Sequence, residues 1–354
     1  MSLYRLSIAL LSSRSIVPSD DGPEVPGPCQ LPRLRSPTDA RTHTPYRGLF
    51  GNKYEDAAEL YEQAANQFKL AKLWKEAGDT YVKLAEVGLK LESKHDAAGA
   101  YVEAAKAYQK SEGGDGLSEK EVAKMKKKAI GSLEQAVSLY TDMGRLGMAA
   151  RQLREIAEQM EKEVEKEVGG WGDDGSGGAG ASASASARSS VVMFYEQAAD
   201  LFYTDHSTAE SNKCLLKVAQ YSALGGDYQK AIGIYEKVAK ACVDNNLLKF
   251  SAKGHLLLAC LCLMCCSRPD AVQEKIESYK DVDFNFDGSR EAVLAESCAR
   301  AMEEGDVDGF TGAVAEFDSL TRLDGFKTEM LLRAKRKMAG GDGGELSGDE
   351  EDLT

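Results

Sequence analysis

The side chains best suited to chemistry in this 354-residue sequence are thiols, and they sit together. Cys260, Cys262, Cys265 and Cys266 fall on one apolar stretch, where they could act as metal ligands, as a redox group or as small buried side chains. A structural zinc site needs two ligand pairs at set spacing, and that spacing is missing. Buried thiols in a reducing compartment account for the cluster more simply, and the eight Cys do not form the pattern of a secreted disulfide framework. The sequence also lacks a Walker-type G-x-x-x-x-G-K-[ST], a nucleophile elbow and a His pair at metal spacing. The expectation is a non-enzyme with no catalytic residues, no cofactor and no metal.

What remains as chemistry is charge. The net charge of −13 argues against a general nucleic-acid binder, because there is no basic excess to release counterions from phosphates. A summed charge does not exclude a local basic face. Hydrophobic residues at 43% and charged residues at 29% fit a chain with a real core, and no run reaches the length of a membrane span.

The elements that must carry those charges are helices. Small residues and an aromatic recur at offsets of three, four and seven: Ala57, Ala58, Tyr61, Ala64, Ala65, Phe68, then Ala97, Ala98, Tyr101, Ala104, Ala105, Tyr108. Further copies include Ala77, Tyr81, Ala85; Ala129, Leu133, Ala136, Tyr140; Tyr195, Ala198, Ala199, Phe202; and Ala231, Tyr235, Val238, Ala239. Ala at crossing points lets helices approach closely, and polar or Gly-containing breaks separate the copies. Helix pairs of about 34–40 residues lie in the tetratricopeptide range. The pattern predicts an all-α fold: a right-handed, tetratricopeptide-like α-solenoid of helical hairpins.

The solenoid is placed at residues 46–266, followed by a C-terminal helical bundle at 267–339 and an acidic tail at 340–354. Residues 169–190 are Gly, Ser and Ala in low-complexity runs and read as an enlarged flexible loop. Residues 1–45 are Ser-, Pro- and Arg-rich, and read as a disordered or uncertain extension that mildly resembles a targeting peptide.

Several ordered strings go beyond a repeat pattern. They include Arg47-Gly48-Leu49-Phe50-Gly51, Ser93-Lys94-His95-Asp96-Ala97-Ala98 and Tyr140-Thr141-Asp142-Met143-Gly144-Arg145. Others are Asn212-Lys213-Cys214-Leu215-Leu216-Lys217, Leu247-Leu248-Lys249-Phe250-Ser251-Ala252-Lys253 and Asp349-Glu350-Glu351-Asp352-Leu353. With these strings the chain resembles the soluble NSF attachment protein (SNAP) family, most of all its alpha type, from about Gly48 to the end.

The resemblance implies a non-enzymatic adaptor in vesicle fusion and intracellular transport. It would bind the assembled SNARE four-helix bundle, of syntaxin-like and other SNAREs, and recruit and stimulate the hexameric ATPase NSF, which takes the bundle apart. Positions matching the family's SNARE-binding basic residues are Lys72, Lys110, Arg145, Arg151, Lys213, Lys217, Lys249 and Lys253. Lys213 and Lys217, like Lys249 and Lys253, are four apart and project the same way from a helix. Gln109 stands where the family often has a basic residue, with Lys110 beside it as a substitute. The resemblance also implies a membrane-contacting loop at Tyr46, Leu49 and Phe50, and an ATPase-stimulating element at Asp349, Glu350, Glu351, Asp352 and Leu353. Several copies would grip one bundle, since each exposed contact is worth only ~0.2–1 kcal/mol. The implied location is cytoplasmic, peripheral on the cytosolic face of membranes. A generic tetratricopeptide co-chaperone or interaction scaffold is the alternative.

Overall fold

The computed structural model describes residues 53–111, 118–168, 179–245 and 247–340. These contain thirteen α-helices and no strand. In chain order they are α1 (Lys53–Leu70), α2 (Trp74–Lys90), α3 (Lys94–Ser111), α4 (Glu119–Asp142), α5 (Leu146–Val168), α6 (Ala179–Thr204), α7 (Thr208–Leu224), α8 (Tyr228–Val243), α9 (Lys249–Cys266), α10 (Pro269–Val282), α11 (Arg290–Glu304), α12 (Val307–Leu320) and α13 (Gly325–Met338).

Through α9 each helix packs on its successor, which is the connectivity of a stack of helical hairpins. One turn motif builds most of the corners. Leu73, Ser93, Arg145, Ser207 and Asp227 each donate their backbone N–H to the carbonyl five residues back, at 2.8–3.0 Å. The residue before each of these is left-handed: Lys72, Glu92, Gly144, His206 and Gly226. This is the Schellman closure, which satisfies the last carbonyls of one helix and turns the chain into the next. Two of the expected partner-binding residues, Lys72 and Arg145, are therefore corner residues.

The repeated small residues do what their spacing predicts. A Cβ on Gly78 would meet the Tyr108 ring at 2.5 Å, and one on Gly88 would meet Ala97 at 3.3 Å. The aromatic positions are buried, and their hydroxyls find partners on neighbouring helices. Tyr81 donates to Asn66 at 2.9 Å, Tyr108 to Asp79 at 2.7 Å and Tyr195 to Glu161 at 2.6 Å.

Two expectations change. The loop expected over 169–190 is helical from Ala179 onward, because α6 begins there. Alternating Ala and Ser contains no breaker, Ala has the highest helix propensity, and Ser190 bonds back to the Ser186 carbonyl at 3.2 Å. Residues 169–178 of that stretch lie outside the described residues, as do 1–52 and 341–354. Second, α9 has the length and apolarity of a membrane span, although no such run was expected. Its composition is explained by burial: Leu256, Leu257, Cys260, Leu261, Cys262 and Met264 are enclosed by α8, α10, α11 and α13.

Around α9 the packing changes from a stack to a bundle. A single core runs from Ala219 on α7 through α8 and α9 to Ala334 on α13. Helix α13 closes it. Arg333 donates to the carbonyls of Ala223 and Leu224 at 3.3 and 3.1 Å, and Lys337 donates to the Ser267 carbonyl at 2.8 Å. One cation thus caps the C-terminal end of α7 and the other that of α9.

Candidate protein-binding face

Cross-links between alternate helices sort the stack into two layers. In the odd-numbered layer Lys69 of α1 pairs with Glu103 of α3 at 3.0 Å, and Gln109 of α3 donates to Glu155 of α5 at 3.1 Å. Arg154 of α5 then pairs with Glu210 of α7, and Lys217 of α7 with Glu161 of α5 at 2.5 Å. In the even-numbered layer Lys128 of α4 pairs with Asp79 of α2 at 2.6 Å, and Lys230 of α8 with Glu196 of α6 at 2.7 Å.

The expected partner-binding residues fall with the odd layer. Lys110 is on α3, Arg151 on α5, Lys213 and Lys217 on α7, and Lys249 and Lys253 on α9, with Lys72 and Arg145 at the corners beside α1 and α5. Lys110 is exposed and lies over the Trp74 ring at 5.0 Å, two residues from Lys72. Arg151 lines an open groove of about 620 Å³ between α3 and α5, with Lys106, Lys126, Arg154, Lys162 and Lys166. Glu155, Glu158 and Glu163 share that groove, so its cations outnumber its anions. Burial pushes the Tyr140 hydroxyl pKa up, while the charges of Arg145 and Lys106 pull it the other way. At the groove's other side Glu210 holds Arg154 and Lys213 together, the latter at 2.7 Å. Lys72, Lys110, Arg145, Arg151 and Lys213 are all exposed cations of this layer and its corners.

The remaining lysines are placed differently. Lys217 is directed at Glu161, which is 7% exposed and also accepts from Tyr195. A buried carboxylate needs that cation, so Lys217 holds α5 to α7 as well as carrying charge. Lys253 pairs with Glu291 of α11 at 3.2 Å, and Lys249 lies over the Phe250 ring at 5.2 Å. Sequence reasoning missed the groove cations Lys106, Lys126, Arg154 and Lys162, which no spacing rule marks. It also missed Leu247 and Phe250, which are 90% and 64% exposed beside Lys249. Their signal was legible, since two large apolar side chains flank a Leu-Lys pair at a helix start. Tyr46, Leu49, Phe50 and Asp349 to Leu353 lie outside the described residues.

Most of the described thiols belong to the core, while Cys265 is partly buried and Cys266 is exposed. Cys260, Cys262 and Cys298 are buried, and burial pushes Cys265 up to about 12, far from a reactive thiolate. Among the described residues no group of three His, Cys, Asp or Glu is placed to hold a metal ion. His255, five residues before Cys260, is a neighbour that the sequence reading overlooked. It is half-buried, and burial lowers its pKa.

A stack of helical hairpins with exposed cations along one layer is the architecture of a helical-repeat scaffold. Comparison with known proteins gives that scaffold its family. The family described as "Soluble NSF attachment protein, SNAP" matches residues 39–339. The chain is 41% identical over 307 residues to an alpha-soluble NSF attachment protein of Vitis vinifera, covering 87% of this chain and 92% of the relative. It is 39% identical to the alpha-soluble NSF attachment protein of Mus musculus, covering 87% and 90%. It is 33% identical to a probable vesicular-fusion protein sec17 homolog of Schizosaccharomyces pombe, covering 80% and 87%. The chain belongs to the soluble NSF attachment protein family, whose members are adaptors and not enzymes. The comparisons lend no support to a generic co-chaperone.

Proposed function

We propose that this chain is the adaptor that couples an assembled SNARE bundle to the hexameric ATPase NSF during vesicle fusion, with the odd-layer basic track as its bundle-binding surface. Family membership gives the role, and the track from Lys72 to Lys213 is the observation that carries the surface. A SNARE bundle is an acidic rod. Cations spread along one layer of a solenoid match it without a deep pocket, and exposed Leu247 and Phe250 add apolar area beside Lys249 and Lys253. Each exposed contact contributes ~0.2–1 kcal/mol and is screened by salt, so several copies of the adaptor act on one bundle.

The finer assignments follow the same logic. Tyr46, Leu49 and Phe50 contact the membrane, where burying two large apolar side chains stabilises attachment by about 3–5 kcal/mol. Asp349 to Asp352 steer the tail to a basic surface of the ATPase, and Leu353 anchors it. The protein works in the cytoplasm, peripheral on the cytosolic face of membranes. Residues 46–266 grip the bundle, 267–339 support the tail at 340–354, and 1–45 are an extension.

The test measures NSF ATPase activity with preassembled SNARE complex, with and without this protein. Stimulation is expected. The double variant Arg145→Glu, Arg151→Glu should lower bundle capture by about tenfold or more, at unchanged melting temperature, because both side chains are exposed cations of the track. Full capture by that variant would remove the track from the mechanism.

A further inference from the structure

We propose that the outer face of α4, with Lys75 of α2 beside it, is a second membrane-facing surface that binds anionic lipid headgroups by charge alone. It goes beyond the apolar loop assigned above and does not depend on it.

The N-terminal half of α4 carries five lysines, and the fold treats them in two ways. Met125 and Ala129 face the core. Lys126 and Lys128 flank that core side and are consumed internally, by Glu163 at 2.8 Å and by Asp79 at 2.6 Å. Lys120, Lys124 and Lys127 stand at i, i+4 and i+7, on the side opposite Met125 and Ala129. All three are exposed, and none forms an ion pair among the described residues. Exposed Lys75 stands one turn before Asp79, which pairs with Lys128 of α4, and so lies on the side of α2 that faces α4. Glu121 is held below the usual carboxylate range first by the Ser118 backbone N–H and hydroxyl, then by the charges of Lys75 and Lys124. Glu121 adjoins the patch, and its carboxylate is turned to the helix cap.

Cations in the first turns of a helix oppose the helix dipole, so this stripe gains nothing from its own helix. It lies on the side of α4 away from the groove, which Lys126 enters. A protein partner would need an apolar anchor, and α4 exposes no large hydrophobic side chain. A nucleic acid would call for aromatic stacking or Arg forks, and neither accompanies these lysines. Compact, mobile ammonium groups on a plain helical face match a fluid anionic surface, which makes no geometric demand.

The experiment measures binding of the full chain to phosphatidylcholine vesicles with and without about 30% phosphatidylserine, a leaflet-like anionic surface. Wild type should bind the anionic vesicles more tightly. The triple variant Lys120→Gln, Lys124→Gln, Lys127→Gln should lose about 10–100-fold of that preference, and added salt should mimic the loss. Capture of a soluble SNARE bundle should be unchanged. A second variant, Leu49→Ser with Phe50→Ser, separates the two surfaces, since it should weaken binding to neutral vesicles and leave the phosphatidylserine increment intact. Equal anionic preference in wild type and triple variant overturns the proposal. Loss of soluble-bundle capture by the triple variant also overturns it, and assigns the stripe to a protein partner.

Discussion

Helices α1–α8 and α9–α13 solve the same packing problem with different chemistry. In the first region each helix meets its neighbours through Ala and Gly, and buried Tyr rings donate to Asn66, Asp79 and Glu161 on adjoining helices. Charged pairs then step from helix to helix along each layer. In the second region α9 is buried on most of its circumference among Leu, Cys and Met, and α13 returns to cap the ends of α7 and α9. A stack leaves a long surface for a partner to lie along, at the expense of a thin core. A bundle gives up surface and concentrates apolar burial. The proposed binding residues fall mostly on the first region, and Lys249 and Lys253 stand at the start of α9, where the second begins.

The contrast predicts where large losses arise. Phe310 on α12 is 1% exposed within the bundle core. Phe310→Ala should destabilise the protein by about 3–5 kcal/mol, read from urea unfolding. Hydrogen exchange should rise in α11–α13 before it rises in α1–α5, because stability is local to cooperative units. Uniform loss of protection across all helices would mean that stack and bundle unfold as one.

A sharper test uses two lysines of one helix. Lys217→Ala leaves Glu161 buried without its cation, and should cost about 1–3 kcal/mol. Lys213 is exposed and pairs within its own helix with Glu210, so Lys213→Ala should change stability by less than ~0.5 kcal/mol. Both should weaken bundle capture at high concentrations of salt less than at low. Equal stability losses would show that burial of Glu161 is not what distinguishes them.

The same pair shows how far the sequence could be read. Spacing placed Lys213 and Lys217 on one helical face, and that face exists. Their different fates depend on Glu161, more than fifty residues away, which no local pattern joins to α7. The hairpin stack was legible because Ala and Tyr periodicity is local and each helix packs on the next. The Schellman corners were less so: Gly144 and Gly226 signal a left-handed turn, whereas Lys72, Glu92 and His206 adopt it without the sequence announcing it. The groove cations were invisible for the same reason as Glu161, since Lys106 and Arg154 become neighbours only when α3 and α5 pack. The 169–190 stretch was misread in its second half because Gly and Ala share a low-complexity composition but have opposite helix propensities.

The smallest expected effect separates the two regions by pH. His255 sits on α9 in the bundle, and burial lowers its pKa from 6.5. The folded state disfavours the imidazolium, while the unfolded chain takes up a proton below about 6.5, so this contribution is present above that pH and fades as pH falls below it. In the stack, burial pushes the Asp79 carboxyl up, but hydrogen bonds from Lys128 and Tyr108 bring it below its ordinary 3.8. Its contribution is present above 3.8 and is lost only as pH falls further. Stability measured by urea unfolding should therefore decline first as pH falls below about 6.5 through the bundle, and again in strong acid through the stack. His95 and His206 are exposed, which leaves His255 as the half-buried imidazole among the described residues. His255→Gln should flatten the upper window and leave the acid limb unchanged. A slope that survives in that variant would place the proton uptake elsewhere, and the bundle would no longer be the more pH-sensitive region.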